Sequence, residues 1–269
     1  MSLNIFKLLC IITAVTGYSL VIFLFKYWKT NSLARILSGV AVMSGSWGVI
    51  GSIFSSIPKE SYDLALFWWQ IGYITPILGE VFYVHFVFKY LRLKKNYLLT
   101  SIYLLGFIFI FFDFYKHSQL FLGDLKWVFG QFYCLDWIAR KNVIWLVYYI
   151  TFLIILSYAF FLLIKAYRNS KGVQKNQLKY FILGSIIGWL GVELQFLLAF
   201  RIYIYPFSVI FMGIYPLIFT YAILKYRLMD IRVAITRVGI FLALYTAVLG
   251  LPFYLGYQTN SWVLSTSFA

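Results

Sequence analysis

The sequence predicts an all-α, polytopic transmembrane helix bundle, and three observations carry that prediction. Of 269 residues, 63% are hydrophobic and only 12% are charged, against about 45–50% and about 25% for a soluble domain. The apolar residues fall into runs long enough to cross ~30 Å of hydrocarbon at ~1.5 Å per residue. The bases gather in short connections and leave the runs almost uncharged. Lys and Arg number 23 against 8 Asp and Glu, a formal charge of +15. Because this surplus sits between spans, topology and anionic headgroups account for it, so the expected partner is the lipid bilayer and not nucleic acid.

Seven runs precede a charged junction, at residues 5–25, 36–57, 64–88, 97–112, 143–164, 180–200 and 205–224. An eighth run, 238–257, follows it and is made irregular by Gly250 and Pro252. The first run ends in Lys26, Tyr27, Trp28 and Lys29 without a small-residue cleavage site, so it reads as a retained span, not a signal peptide. Sixteen of the 23 bases lie in alternate connections: Lys26, Lys29 and Arg35; Lys89, Arg92, Lys94 and Lys95; Lys165, Arg168, Lys171, Lys175 and Lys179; Lys225, Arg227, Arg232 and Arg237. That side is expected to be cytoplasmic. The other side holds Glu60, Asp63, Asp113, Asp124 and Asp136, five of the eight acids. The N-terminus is therefore expected outside the plasma (inner) membrane, and the end of the seventh span inside.

Only the connection 113–142 is long enough to fold by itself. Gly123 and Asp124 between the apolar-rich stretches 119–122 and 125–129 predict a short outer β-hairpin. Its aromatic side chains (Trp127, Phe129, Phe132, Tyr133, Trp137) are expected to rest on the membrane surface, where Trp and Tyr are favoured. Cys10, inside a span, and Cys134, in the connection, are not expected to meet, and no zinc spacing occurs.

Within the spans, Glu80, His85 and Glu193 are the ionisable residues deep enough to be costly in hydrocarbon. The third span is the most polar, with Gln70, Tyr73, Pro76, Glu80, Tyr83 and His85. Tyr73, Glu80 and Tyr83 share one helix face, whereas His85 lies about 140° round from Glu80. Glu193 and Gln195 repeat the situation in the sixth span. Two readings stand for this set: a polar ligand pocket within the bundle, or interhelical hydrogen bonds that hold the spans in register. The second is preferred for His85 and for Glu193 with Gln195. Small residues mark close helix contacts, with Ser44, Gly48 and Ser52 in the second span and Gly184, Gly188 and Gly191 in the sixth. No span carries a central lysine, and HExxH, G-x-S-x-G and phosphate-cradling glycine loops are missing. No catalytic residue, metal site or cofactor is expected.

The junction reads YAILKYRLMDI over residues 221–231. An apolar run ends there in Lys225, Arg227, Asp230 and Arg232, charges that belong in water. Tyr221, Ala222, Lys225, Tyr226, Arg227, Leu228, Met229, Asp230 and Ile231 resemble the end of the N-terminal seven-transmembrane region of bacterial sensor histidine kinases. Supporting similarity lies at residues 69–91 (WQIGYITPILGEVFYVHFVFKYL). The resemblance implies a seven-transmembrane sensor or input domain over 5–235, followed at 236–269 by a further transmembrane helix and a truncated tail. It implies a module of a two-component system that passes a stimulus, through helix rearrangement, to a cytoplasmic output domain. Tyr221, Lys225, Tyr226, Arg227, Asp230 and Arg232 would form its signal junction. It also implies an unknown small ligand and a homodimeric full-length parent, with DNA beyond codon 269 encoding a ninth span and the output domain. The competing reading is a small-solute transporter or intramembrane enzyme that uses Glu80 and Glu193.

Overall fold

Backbone groups in hydrocarbon must bond within their own segment, so each apolar run is expected to fold as a helix. The structure is a computed structural model that describes residues 4–94, 96–115 and 120–226. In chain order the elements are α1 (Ile5–Phe25), α2 (Ser32–Phe54), α3 (Tyr62–Tyr90), α4 (Asn96–Phe114), β1 (Leu125–Val128), β2 (Phe132–Leu135), α5 (Trp137–Arg140), α6 (Val143–Asn169), α7 (Gly172–Phe196, extended by a 3-10 turn over Leu197–Phe200) and α8 (Val209–Tyr226). All the long helices correspond to predicted runs. Six of them, α1, α2, α3, α4, α6 and α7 with its extension, are long and apolar enough to cross a membrane. The chain is a multi-pass membrane protein.

Where boundaries differ from the apolar runs, a polar group explains the difference. The second helix begins at Ser32, before the run at 36, because the Asn31 side chain accepts from the free N–H groups of Leu33 and Ala34. In the same way Asn4 accepts from Lys7 N and starts α1. The seventh helix begins at Val209, not at 205. Its expected first residue, Tyr205, is diverted to the N-terminus of α1, where its hydroxyl accepts from Phe6 N at 3.0 Å and donates to Gln131 Oε1 at 2.9 Å. The predicted eighth run, 238–257, lies outside the described residues.

Two seams of the bundle use the small residues seen in the sequence. On α2, Gly45 and Gly48 face α1: a Cβ on Gly48 would lie 2.5 Å from Ala14 N and Cys10 O, and one on Gly17 would lie 2.8 Å from Gly45 N. On α7, Gly184, Gly188 and Gly191 receive Phe219, Tyr215 and Met212 of α8. Each close approach packs backbone against neighbour without the hydrophobic driving force that water would supply.

Prolines interrupt α3 at Pro76 and α8 at Pro216. Each ring removes the N–H that would reach the carbonyl four residues back. A hydroxyl takes each freed carbonyl. Thr75 Oγ1 donates to Gly72 O at 2.8 Å, and Ser44 Oγ of α2 donates across the bundle to Met212 O at 3.5 Å.

The predicted hairpin exists, but its turn does not lie at Gly123-Asp124. Leu125 pairs with Leu135 and Val128 with Phe132, antiparallel, so the chain reverses at Phe129 and Gly130. Both have left-handed φ, 54° and 67°, and Gln131 N donates to Val128 O at 3.0 Å. Gly123 is also left-handed, at φ 75°, but its role is to pass close beneath the Asn142 side chain before β1 begins. For two of the hairpin's aromatics the expected resting on the membrane surface also needs correction. Phe132 and Tyr133 are buried, and Phe132 stacks on Phe6 with ring centroids 4.4 Å apart. The sheet is a cap over one end of the bundle.

That cap is laced to three neighbours. Leu125 N donates to Tyr62 Oη at 3.1 Å, Trp69 Nε1 donates to Tyr133 O at 3.0 Å, and the Tyr133 hydroxyl donates to Lys59 O. Arg201, just past the 3-10 turn, grips Asp136 in a two-pronged ion pair with Nε–Oδ1 at 3.0 Å and Nη2–Oδ2 at 2.9 Å. Asn4 at the head of α1 donates to Ser55 O, so the N-terminus and the hairpin share this end. The basic connections α1–α2, α3–α4 and α6–α7 therefore gather at the opposite end.

Candidate functional site

Inside the bundle, beneath the hairpin, lies a cavity of about 110 Å³. One wall is α2, with Val40, Met43, Ser44, Trp47 and Phe54 at helical spacing; a second is α3, with Trp69, Tyr73, Pro76, Gly79 and Tyr83. The glycine face of α7 (Gly184, Ser185, Gly188) and Met212, Tyr215 and Phe219 of α8 close the opposite side. Phe6, Phe132 and Leu135 form the roof. The void persists beside Pro76 and Gly79, which offer no long side chain to fill it.

The residues expected to form one polar site divide into three groups. Tyr73, Tyr83 and Gln195 line the cavity. The Tyr73 hydroxyl accepts from Trp145 Nε1 of α6 at 2.9 Å, and Gln195 Oε1 accepts from Trp47 Nε1 at 3.2 Å. The Tyr83 hydroxyl lies beside Ser185 and Trp189, near enough for their side chains to interact with it.

Gln70 and His85 are straps to α4. Gln70 Nε2 donates to Asp113 O at 3.0 Å, and His85 Nδ1 lies 2.9 Å from the Tyr103 hydroxyl. For His85 this is the interhelical reading of the sequence.

Glu80 and Glu193 form the third group, away from the cavity lining and on the sides of α3 and α7 that meet α6. They are near enough to act on each other electrostatically, which the sequence alone does not place. Glu193 Oε2 accepts from Tyr149 at 3.1 Å, while Glu80 Oε1, Glu193 Oε1 and the Tyr148 hydroxyl are buried without a partner. Each such group carries a desolvation cost unless a proton, water or ion meets it.

Tyr221 of the junction lies on the exposed side of α8, its ring 5.3 Å from that of Tyr180 on α7. Lys225 and Tyr226 end α8, and Arg227, Asp230 and Arg232 fall outside the described residues. Several cavity residues carried no polar signal in the sequence: Trp47, Trp189, Met212 and Tyr215 read only as apolar span residues. Ser185 is hidden by its neighbours Gly184 and Gly188, which mark a helix contact and not a site.

Above the cavity, Cys134 is a buried free thiol, as is Cys10, and both belong to the apolar cluster under the hairpin. Burial, helped by the negative charge of Asp136, pushes the Cys134 thiol up to about 12. It stays protonated and poorly nucleophilic at neutral pH. Asp136 in turn holds the exposed Arg201 guanidinium more firmly in its charged form, chiefly through their hydrogen bonds.

A family model described as the N-terminal 7TM region of histidine kinase matches residues 9–232. No curated protein and no solved structure matches the chain. The match begins within α1, takes in the cavity lining except Phe6, both glycine seams and the hairpin, and runs through α8 to the charged junction. The chain belongs to the family of N-terminal seven-transmembrane regions of histidine kinases.

Proposed function

We propose that residues 5–235 are the membrane-embedded sensory input module of a bacterial signal-transduction protein of the sensor histidine kinase type. The observation that carries this reading is the position of the cavity. It abuts the α7–α8 seam, and α8 runs directly into the junction. A ligand that binds one packing of Tyr215 and Phe219 better than another shifts α8 against α7, and the shift leaves the membrane at Tyr221 and Lys225. Such transmission requires only two arrangements and a difference in affinity between them.

The N-terminus and hairpin face outward in this reading, and the basic connections lie in the cytoplasm of a cell whose plasma membrane holds the bundle. The transporter reading would route a solute past Glu80 and Glu193. Their place against Tyr148 and Tyr149 of α6, outside the cavity lining, favours the sensory reading. Binding is the work of this chain; phosphoryl transfer belongs to an output domain, and the full-length parent is a homodimer.

Residues 1–232, grafted in place of the matching membrane region of a histidine kinase, test the proposal. Autophosphorylation of the graft is expected to shift by about fivefold or more on Gly188→Val, because that side chain pushes the Tyr215 ring and so α8. An active graft that is indifferent to Gly188→Val would remove the coupling from the account.

A further inference from the structure

Ring contacts fix the register of three helices in the middle of the bundle. Tyr83 of α3 meets Trp189 of α7 edge-on, with centroids 5.3 Å apart, and Trp189 meets Phe152 of α6 at 5.2 Å. The α3 and α6 helices run away from the hairpin end, while α7 runs back to it. One turn toward the hairpin from these rings, α3 therefore brings Glu80, α7 brings Glu193, and α6 brings Tyr148 and Tyr149. Four polar side chains from three helices share one level.

Their hydrogen-bonding demand is largely unmet. Glu80 is 5% exposed and Tyr148 1%, and Glu80 Oε1, Glu193 Oε1 and the Tyr148 hydroxyl have no partner. Tyr149 donates to Glu193 Oε2 at 3.1 Å, so Glu193 has a donor where Glu80 Oε1 has none.

Charge is the larger demand. Glu193 acts electrostatically on Glu80, and both act on Tyr148, as do Tyr73 of α3 and Asp113 of α4. These neighbours are acids or phenols, and among the described residues no Lys, Arg or His acts on either carboxyl. His85 is turned to Tyr103 of α4, Arg201 is held by Asp136, Arg35 of α2 is bonded to Trp28 O, and Tyr215 of α8 lines the cavity. Two ionised carboxyl groups placed together in hydrocarbon with no base beside them repel each other and lose their hydration. A metal ion would need a shell of oxygens. The described residues hold no group of three or more His, Cys, Asp or Glu suited to one, and the local carbonyls are spent on helix bonds. A proton needs no shell.

We propose that Glu80 and Glu193 form a proton-binding site and hold one proton between them. Glu80 carries the proton, and Tyr149 holds Glu193 as the charged partner. When the proton leaves to water, the charge of the pair goes from −1 to −2, and the repulsion acts between α3 and α7 one turn from the Tyr83–Trp189 contact. Both of those rings line the cavity, so the site ties the packing of its α3–α7 wall to pH. Only the signalling consequence rests on the input-module reading above; proton binding is measured on the chain alone.

Infrared difference spectroscopy of the full chain in lipid nanodiscs tests the site. At pH 7 an ordinary glutamate, with a pKa of about 4.3, is ionised. The wild type is nevertheless expected to show the C=O band of a protonated carboxyl, lost reversibly as the pH is raised. Glu80→Gln keeps the shape, removes the acid and is expected to remove the band, whereas Asp113→Asn is expected to leave it. Glu193→Gln is expected to keep the band but to displace its titration by about one pH unit or more, because the neighbouring charge is gone. A measurement that needs no variant uses ¹³C-labelled glutamate, which is expected to shift the band. The chain has three glutamates, and the third, Glu60, is exposed in a connection. No band, a band that survives in Glu80→Gln or is unmoved by the label, or an unchanged titration in Glu193→Gln each overturns the proposal. So does a band that Na⁺ removes at fixed pH and ionic strength, which would make this a metal-ion site. Each of these outcomes leaves the kinase graft's response to Gly188→Val untouched, so a failed proton site and a failed input module are told apart.

Discussion

Gly48→Ala is expected to destabilise the bundle by about 3 kcal/mol, at the upper end for forcing a methyl group into a packed interior. The added carbon would lie 2.5 Å from both Ala14 N and Cys10 O, backbone atoms of α1 that cannot rotate away. Relief requires α1 and α2 to part, and Gly17 against Gly45 one turn further along would lose its contact too. Gly79→Ala is the matched control, because its new carbon meets only the Met43 side chain at an ordinary 3.4 Å. Steric trapping or thermal unfolding in detergent reads both. The account expects a large loss for the first and little change for the second, and equal losses would mean that the α1–α2 seam is not the close approach described here.

Phe132→Ala should have the next largest effect, about 3 kcal/mol, near the lower end for removing a buried phenylalanine ring. Phe132 is 2% exposed and stacks on Phe6, so its loss takes the roof off the cavity and frees the hairpin from α1. A second readout separates local opening from global unfolding. Cys134, two residues on in the same strand, is buried with its thiol pushed up to about 12. A maleimide that does not cross membranes should label it slowly in the wild type and much faster in Phe132→Ala, at temperatures where the helices remain folded. Unchanged labelling would mean that the packing of Phe132 is not what shields Cys134.

Much of the fold could be read before any coordinates because lipid permits few solutions. An apolar run of sufficient length has little choice but helix, and α1 occupies the run at 5–25 residue for residue. Helix ends were less legible, since they depend on single polar groups: Asn31 pulls α2 back to Ser32, and Tyr205 leaves its own run to cap Phe6 N. The hairpin shows how a sound local signal can carry the wrong pairing. Gly123 does take the left-handed conformation a turn glycine favours, yet the register is decided by Val128 facing Phe132, and the reversal falls to Phe129 and Gly130.

The site was partly legible for a related reason. Tyr73, Tyr83 and Gln195 stand out as polar residues in spans, and they do line the cavity. Glu80 and Glu193 stand out equally, but the residue that holds Glu193 away from it, Tyr149, is one more aromatic in an apolar run. Nothing in one dimension says which face of α6 meets a carboxyl group. Ser44 was visible as a small residue, whereas its bond to the carbonyl freed by Pro216 joins positions 168 apart in the chain.

The central claim is that the state of the cavity moves α8 against α7. The most direct measurement uses Tyr180→Cys/Tyr221→Cys, replacing two rings whose centroids lie 5.3 Å apart at the junction end of that seam. The native thiols, Cys10 and Cys134, are buried. Disulfide formation between the introduced cysteines is followed in membranes before and after Gly188→Val. The account predicts a rate that changes severalfold, since the added side chain acts on the packing of Tyr215. A rate that stays the same under Gly188→Val would contradict it.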